Sequence, residues 1–160
     1  MREAALPRSA ARVQEAAERL GLAITVREMP ASTRTAEEAA AACGCDVAQI
    51  VKSLVFAGRD SGRPYLFLVS GKNRVDEGRV ATIVGEQLIR PKADAVRAWT
   101  GYAIGGIPPF GHHTEMATFV DQDLLAHEVV WAAAGTPFAV FSALPRDLVG
   151  AVQGRVIAVG

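Results

Sequence analysis

The sequence predicts an α/β protein of the α+β type, a single mixed sheet with flanking helices. Three observations lead there. Strand-like and helical stretches follow one another without the regular strand–helix–strand alternation of a doubly wound parallel sheet. Several strand-like neighbours are separated only by turn residues, as in hairpins. The chain has 160 residues, 50% of them hydrophobic and 21% charged, which suits one well-filled core. Residues 1–160 are therefore expected to form one domain.

Each element has a local reason. Val13, Ala16, Ala17 and Leu20 recur at helical spacing behind Ser9, a capping residue type, and Gly21 suits the stop. Residues 22–28 alternate like a strand. Thr35-Ala36-Glu37-Glu38 matches a capping box ahead of an alanine-rich helix ending near Cys43-Gly44, and residues 46–49 start a short helical turn. Residues 50–56 read as a buried strand and 64–69 as its neighbour across a glycine-flanked turn. Residues 76–84 read as helix, 88–90 as a short strand, and 93–100 as a helix stopped by Gly101. Strands follow near 118–120, 128–132 and 136–141. Pro145 opens a helix over 146–152, and 155–159 closes the chain as a strand. The sequence contains no repeat, low-complexity tract or linker.

Bulk properties exclude several classes. No apolar run reaches the ~20 residues of a membrane span. Residues 1–20 carry acids and arginines throughout, unlike a signal peptide, so a cytoplasmic location is expected. Cys43 and Cys45 are too few for a disulfide framework and read as small residues at a helix end. The net charge of zero argues against a general, strongly basic nucleic-acid binder. The distribution is less even: residues 1–97 balance at +3 and residues 98–160 at −3. Lys72, Arg74, Arg79, Arg90, Lys92 and Arg97 could form a basic face or lie scattered on helices. A face touching only the end of a nucleic acid would need few charges.

Two segments stand out for chemistry. Lys52, in Gln49-Ile50-Val51-Lys52-Ser53-Leu54-Val55-Phe56, is the only charge between Asp46 and Arg59. A lone charge in an apolar run either snorkels to water or serves a site. The second segment is Gly101-Tyr102-Ala103-Ile104-Gly105-Gly106-Ile107-Pro108-Pro109-Phe110-Gly111-His112-His113. Its glycines permit positive φ and close approach to the backbone, and its prolines fix φ. Backbone amides held rigidly at a carbonyl oxygen stabilise the charge that develops there during ester hydrolysis. No Gly-x-Ser-x-Gly elbow is present, and no Cys/His/Asp set announces a nucleophile. His112, His113, His127 and the two cysteines lack metal-ligand spacing. Phe110 could stack on a terminal base, while Trp99, Trp131 and Phe138 read mostly as core. Thr35 reads most simply as a helix cap and Ser70 as a turn residue.

In this order, Lys52-Ser53-Leu54 and the Gly101–Gly111 loop resemble the motifs of the YbaK/EbsC family, the prolyl-tRNA synthetase-associated editing domains. The likeness runs from about residue 26 to residue 152. It implies a curved, partly closed mixed sheet and a free-standing deacylase that hydrolyses mischarged aminoacyl-tRNA. It implies that Lys52 positions the aminoacylated 3′ end. Gly105 and Pro109 match the family's Gly-x-x-x-Pro element, so Gly105 and Gly106 are expected to hold the ester carbonyl. Thr35, Ser53, Ser70, Pro108, Pro109, Phe110, Gly111 and His112 are expected around the substrate. Thr33 and Arg34 fall where the family often has polar pocket residues. Family members act with help from the substrate's own ribose hydroxyl, and no cofactor is implied. The implied partner is the acceptor end of aminoacyl-tRNA, with an aminoacyl-tRNA synthetase as a further candidate. Members resembling the Cys-tRNA(Pro) deacylases carry an aromatic residue near Met29 and an acidic one near Val140. Both positions are apolar here, which leaves alanine, serine or threonine equally open. A non-catalytic tRNA- or synthetase-binding module of the same fold is the alternative.

Overall fold

Which way each element turns is decided by its apolar positions. The computed structural model describes residues 6–160. Residues 1–5, and with them the start of the charged N-terminal stretch, lie outside the described residues. In α1, Arg8–Arg19, one stripe of Ala10, Val13, Ala16 and Ala17 is buried. The helix begins behind Pro7 with no side-chain cap, so Ser9 lies inside the first turn instead of capping it. The strand expected over 22–28 shrinks to β1, Arg27–Glu28. Gln14 accounts for the difference. Its side chain donates to the Ile24 carbonyl at 3.0 Å and accepts from the Val26 amide at 2.9 Å. Backbone groups satisfied in that way need no ladder partner.

Thr35 caps α2, Ala36–Cys43, its hydroxyl accepting from the Glu38 amide at 3.1 Å. A 3₁₀ turn, Val47–Gln49, leads into β2, Ile50–Gly58, which pairs antiparallel with β3, Pro64–Ser70. Asp76 caps α3, Glu77–Val84, and β4, Leu88–Ile89, precedes α4, Ala93–Thr100. The special loop then leads to β5, Ala117–Asp121, and a second 3₁₀ turn, Gln122–Ala126. The chain finishes with β6, Val130–Ala133, β7, Ala139–Ala143, α5, Pro145–Val152, and β8, Arg155–Ile157.

The eight strands form one mixed sheet in the order β1-β7-β6-β2-β3-β5-β8, with β4 beside the far end of β2. Pairings β2–β6, β3–β5 and β5–β8 are parallel and the others antiparallel. The hydrogen-bonded path ends at β1 and β8 and does not close. Strand alternation sends Val51, Leu66, Leu68, Val120 and Phe141 to one face, where they pack with α1, α4 and α5. Phe56, Phe67, Val69 and Phe119 go to the other and pack with Val80 of α3. Phe67 stacks on Phe119 with centroids 5.1 Å apart and meets Phe56 edge-on at 5.5 Å. Ala39 and Ala40 seat α2 on Ile50. Among the described residues no helix is long and apolar enough to cross a membrane.

Candidate active site

The sheet opens beside Lys52. The Ile50 carbonyl accepts from the Gly71 amide at 2.8 Å, and the Gly58 amide donates to the Arg63 carbonyl at 2.9 Å. Even-numbered residues of β2 therefore aim their backbone groups at β3, and odd-numbered ones at the opposite edge. On that edge β6 pairs only opposite Ile50 and Val51, and β4 only opposite Ala57 and Gly58. Between them Ser53 and Val55 turn N–H and C=O groups to an edge with no strand partner among the described residues. Here a cavity of about 300 Å³ lies, lined by both Lys52 and Ser53 although their side chains leave opposite faces of the strand.

Four segments complete its walls. Thr33, Arg34, Thr35 and Ala36 come from the entry to α2, and Ile104, Gly105 and Ile107 from the special loop. Trp131, Ala132 and Ala133 come from β6, and Val140 from β7. Two of the hydroxyls are committed: Thr33 donates to the Pro137 carbonyl at 2.9 Å, and Thr35 holds its cap. The Ser53 hydroxyl is buried without a partner, a costly state for a polar atom. Lys52 is half-buried and its ammonium donates to the Asn73 carbonyl. Burial lowers its pKa, the Glu37 and Asp121 carboxylates oppose that shift, and Arg74 adds to it.

The loop reaches the cavity through a pinned turn. Gly105 has φ +97°, and a Cβ there would lie 2.7 Å from Arg34 Cγ. Gly106 differs from expectation. Its amide donates to the Ala103 carbonyl at 3.1 Å and its carbonyl accepts from the Gly135 amide at 2.8 Å. Both groups hold the turn together, which leaves no Gly106 donor free for a substrate oxygen. A Cβ on Gly106 would come within 2.9–3.0 Å of the Gly135–Thr136 backbone, so the residue is glycine for packing.

The residues after the turn pass to another side of the molecule. Pro108 is buried, and its carbonyl meets His112 Nε2 at 2.7 Å. Burial pulls the His112 pKa down, and this bond partly restores it. Pro109, Phe110, Gly111 and His112 line a separate open groove with Leu20 and residues of α5. Phe110 is 5% exposed and packs on Phe141 with centroids 5.5 Å apart, which leaves no face for a base. Ser70 is fully buried and donates to the Ala48 carbonyl at 2.7 Å. The structure thus gathers Lys52, Ser53, Thr35 and Gly105 in one cavity, sets Gly106 behind it, and places Ser70, Pro108, Pro109, Phe110, Gly111 and His112 elsewhere.

Sequence reasoning missed other wall residues. Trp131 is half-buried at the cavity, with the Arg27 guanidinium 5.9 Å from its ring centre. Its strand was legible, but not the pairing of that strand with β2. Phe138, read as core, is 46% exposed. Asn73, which holds Lys52, had no motif to mark it. The cysteines are free, and burial raises the Cys43 thiol to about 11. Among the described residues no group of three or more His, Cys, Asp or Glu is placed to hold a metal ion.

Comparison with known proteins gives this arrangement a context. The aminoacyl-tRNA editing domain family matches residues 30–151, which include every wall of the cavity. A solved structure described as a candidate trans-editing enzyme for prolyl tRNA synthetase superposes with TM-score 0.91 at 51% identity, covering 96% of this chain and 98% of that one. The uncharacterised protein YwhH of Bacillus subtilis (strain 168) is 28% identical over 123 residues, covering 77% of this chain and 78% of that protein. The proline–tRNA ligase of Limosilactobacillus fermentum is 31% identical over 94 residues, 56% of this chain but 16% of the much longer ligase. By the extent of the family match, this chain belongs to the aminoacyl-tRNA editing domain family.

Proposed function

We propose that the protein is a trans-acting deacylase that hydrolyses the ester of tRNA mischarged with a small amino acid such as alanine, cysteine, serine or threonine. The observation that carries the reading is the cavity between the opened edge of β2 and the Gly105 turn, with Lys52 on one wall, in a chain of the editing family. Lys52 grips a phosphate or carbonyl oxygen of the aminoacylated 3′ end. Donors for the ester carbonyl come from the Gly105 side of the turn and from the unpaired Ser53 edge. No histidine or cysteine lines the cavity, and none of its side chains is an evident base. The reaction therefore relies on orientation, with the substrate's ribose hydroxyl helping to activate water. A space of about 300 Å³ with an apolar wall of Ile50, Val51, Ala132, Ala133 and Val140 suits a small side chain beside the terminal ribose. Apolar pockets separate close analogues poorly, which leaves the choice among these amino acids to measurement.

The test is deacylation of Ala-, Cys-, Ser- and Thr-charged tRNA by wild type and by Lys52→Ala. Hydrolysis of at least one, lost in Lys52→Ala, is expected. Binding of the same tRNAs with no turnover across the panel would overturn the enzyme reading in favour of a binding module of the same fold.

A further inference from the structure

Beneath Lys52 lies a polar cluster for which the deacylase reading has no role. Asn73, whose carbonyl accepts from the Lys52 ammonium, is held at both ends. Its backbone N–H donates to the Ser70 carbonyl at 2.9 Å. Its side-chain NH₂ bridges two carboxylates, Asp121 Oδ2 and Asp123 Oδ2, each at 2.8 Å. Asp121 is 1% exposed. Its Oδ2 also accepts from the Ser70 amide at 3.0 Å and its Oδ1 from the Asp123 amide at 3.0 Å. A carboxylate that deep is costly to bury, and here it accepts three hydrogen bonds, one of them from Asn73.

We infer that Asn73, clamped by Asp121 and Asp123, is the positioning residue for Lys52. It fixes one of the three ammonium protons and leaves the other two for the substrate. A lysine has large rotamer freedom along its flexible stem, which an anchor at its ammonium removes before substrate arrives. An electrostatic contact is most effective when the charge is held in place before the reaction. The carbonyl that anchors Lys52 is itself tied to the end of β5 across two strand pairings, so the cation is referenced to the sheet. The charges facing Lys52 are Glu37 from the α2 side, Arg74 beside Asn73, and Asp121 from β5. Glu37 and Asp121 hold its proton on, while burial and Arg74 favour its loss. The catalytic consequence rests on the deacylase reading; the anchoring itself does not.

The sequence has three lysines, Lys52, Lys72 and Lys92. NMR of ¹⁵N-lysine-labelled protein can therefore follow the Lys52 ammonium with no substrate present. Asn73→Ala is expected to speed exchange of the Lys52 ammonium protons with water, leaving Lys92 unchanged. It is also expected to lower kcat by up to about 10²-fold in a folded protein, the scale of a small misplacement in a site. Asp121→Asn is expected to lower the Lys52 titration midpoint and move the alkaline limb of the pH–rate profile to lower pH. The sign follows because a charge that keeps the proton on has been removed. If Asp121→Asn fails to fold, Asn73→Ala decides alone, since Asn73 is only half-buried. Asn73→Ala keeps the backbone carbonyl and removes only the clamp, so unchanged Lys52 exchange in the folded variant overturns the clamp's positioning role, and altered exchange with unchanged kcat overturns its catalytic role. Altered exchange in a protein whose wild type hydrolyses nothing in the tRNA panel overturns the deacylase reading and leaves the anchor standing.

Discussion

Gly105 shows how much one position can be asked to do. Its φ of +97° is costly for any side chain, and the space its Cβ would take is filled by Arg34. Gly105→Ala is expected to cost roughly 1–2 kcal/mol from backbone strain alone and to displace Arg34 at the cavity wall. Urea unfolding and the deacylation assay would read the two effects separately, with the loss of activity expected to be the larger. His112 acts at a distance, holding the Pro108 carbonyl. Burial disfavours its charged form, so its folded pKa lies below the ordinary 6.5. The unfolded chain then binds more protons as pH falls through that value, and stability falls with it. His112→Gln, which cannot titrate, should flatten the decline in urea midpoint between about pH 7 and pH 5. A variant that declines as steeply as wild type would remove His112 as the cause.

At the scale of elements, the β2–β3 hairpin is closed by a residue outside it. The Glu86 carboxylate accepts from the Asp60 and Ser61 amides at 3.1 and 3.0 Å, the Ser61 hydroxyl at 2.7 Å and the Tyr65 hydroxyl at 2.6 Å. These bonds, led by that from Tyr65, hold its pKa down at about 2. A depressed carboxylate stabilises the fold above its unfolded value of 4.5, and the benefit fades as pH falls toward about 2. Glu86→Gln should unfold at a lower temperature than wild type at pH 7, and the gap should narrow below pH 4.5; a gap independent of pH would refute the assignment. The hairpin was legible because Gly58 to Gly62 separates two apolar runs. Its clasp was not, because nothing in the local sequence joins Glu86 to Ser61. Thr35 was legible as a cap for the opposite reason: its partner, Glu38, is three residues away. The strand expected over 22–28 is cut back to β1 because Gln14, on another element, takes the Ile24 carbonyl and the Val26 amide.

Across the whole molecule, the same contrast separates what the site disclosed from what it hid. Lys52 and Gly105 carried motif signals, and they share a cavity. Phe110, Gly111 and His112 were grouped with Gly105 by adjacency in sequence, but the loop carries them round to the groove beside α5. Asn73, Asp121 and Asp123 stand next to one another in space at sequence separations of 48 and 50, which no spacing rule covers. The net charge of zero fits a protein that grips only the end of its partner. Log–log salt dependence of tRNA binding should then be shallow, with a slope of about −0.7 for each single-strand phosphate held. A slope steeper than about −5, as for many phosphates, would require a contact running well along the tRNA.

The scattered origin of the cavity walls has a temporal counterpart. Thr33 donates to a carbonyl 104 residues away, and Val140 supplies a wall. Contacts of such separation form late, since the intervening loop must close first. A nascent chain presents Lys52 early in synthesis yet has nothing for it to act in. The cavity is complete only once β7 lies between β1 and β6.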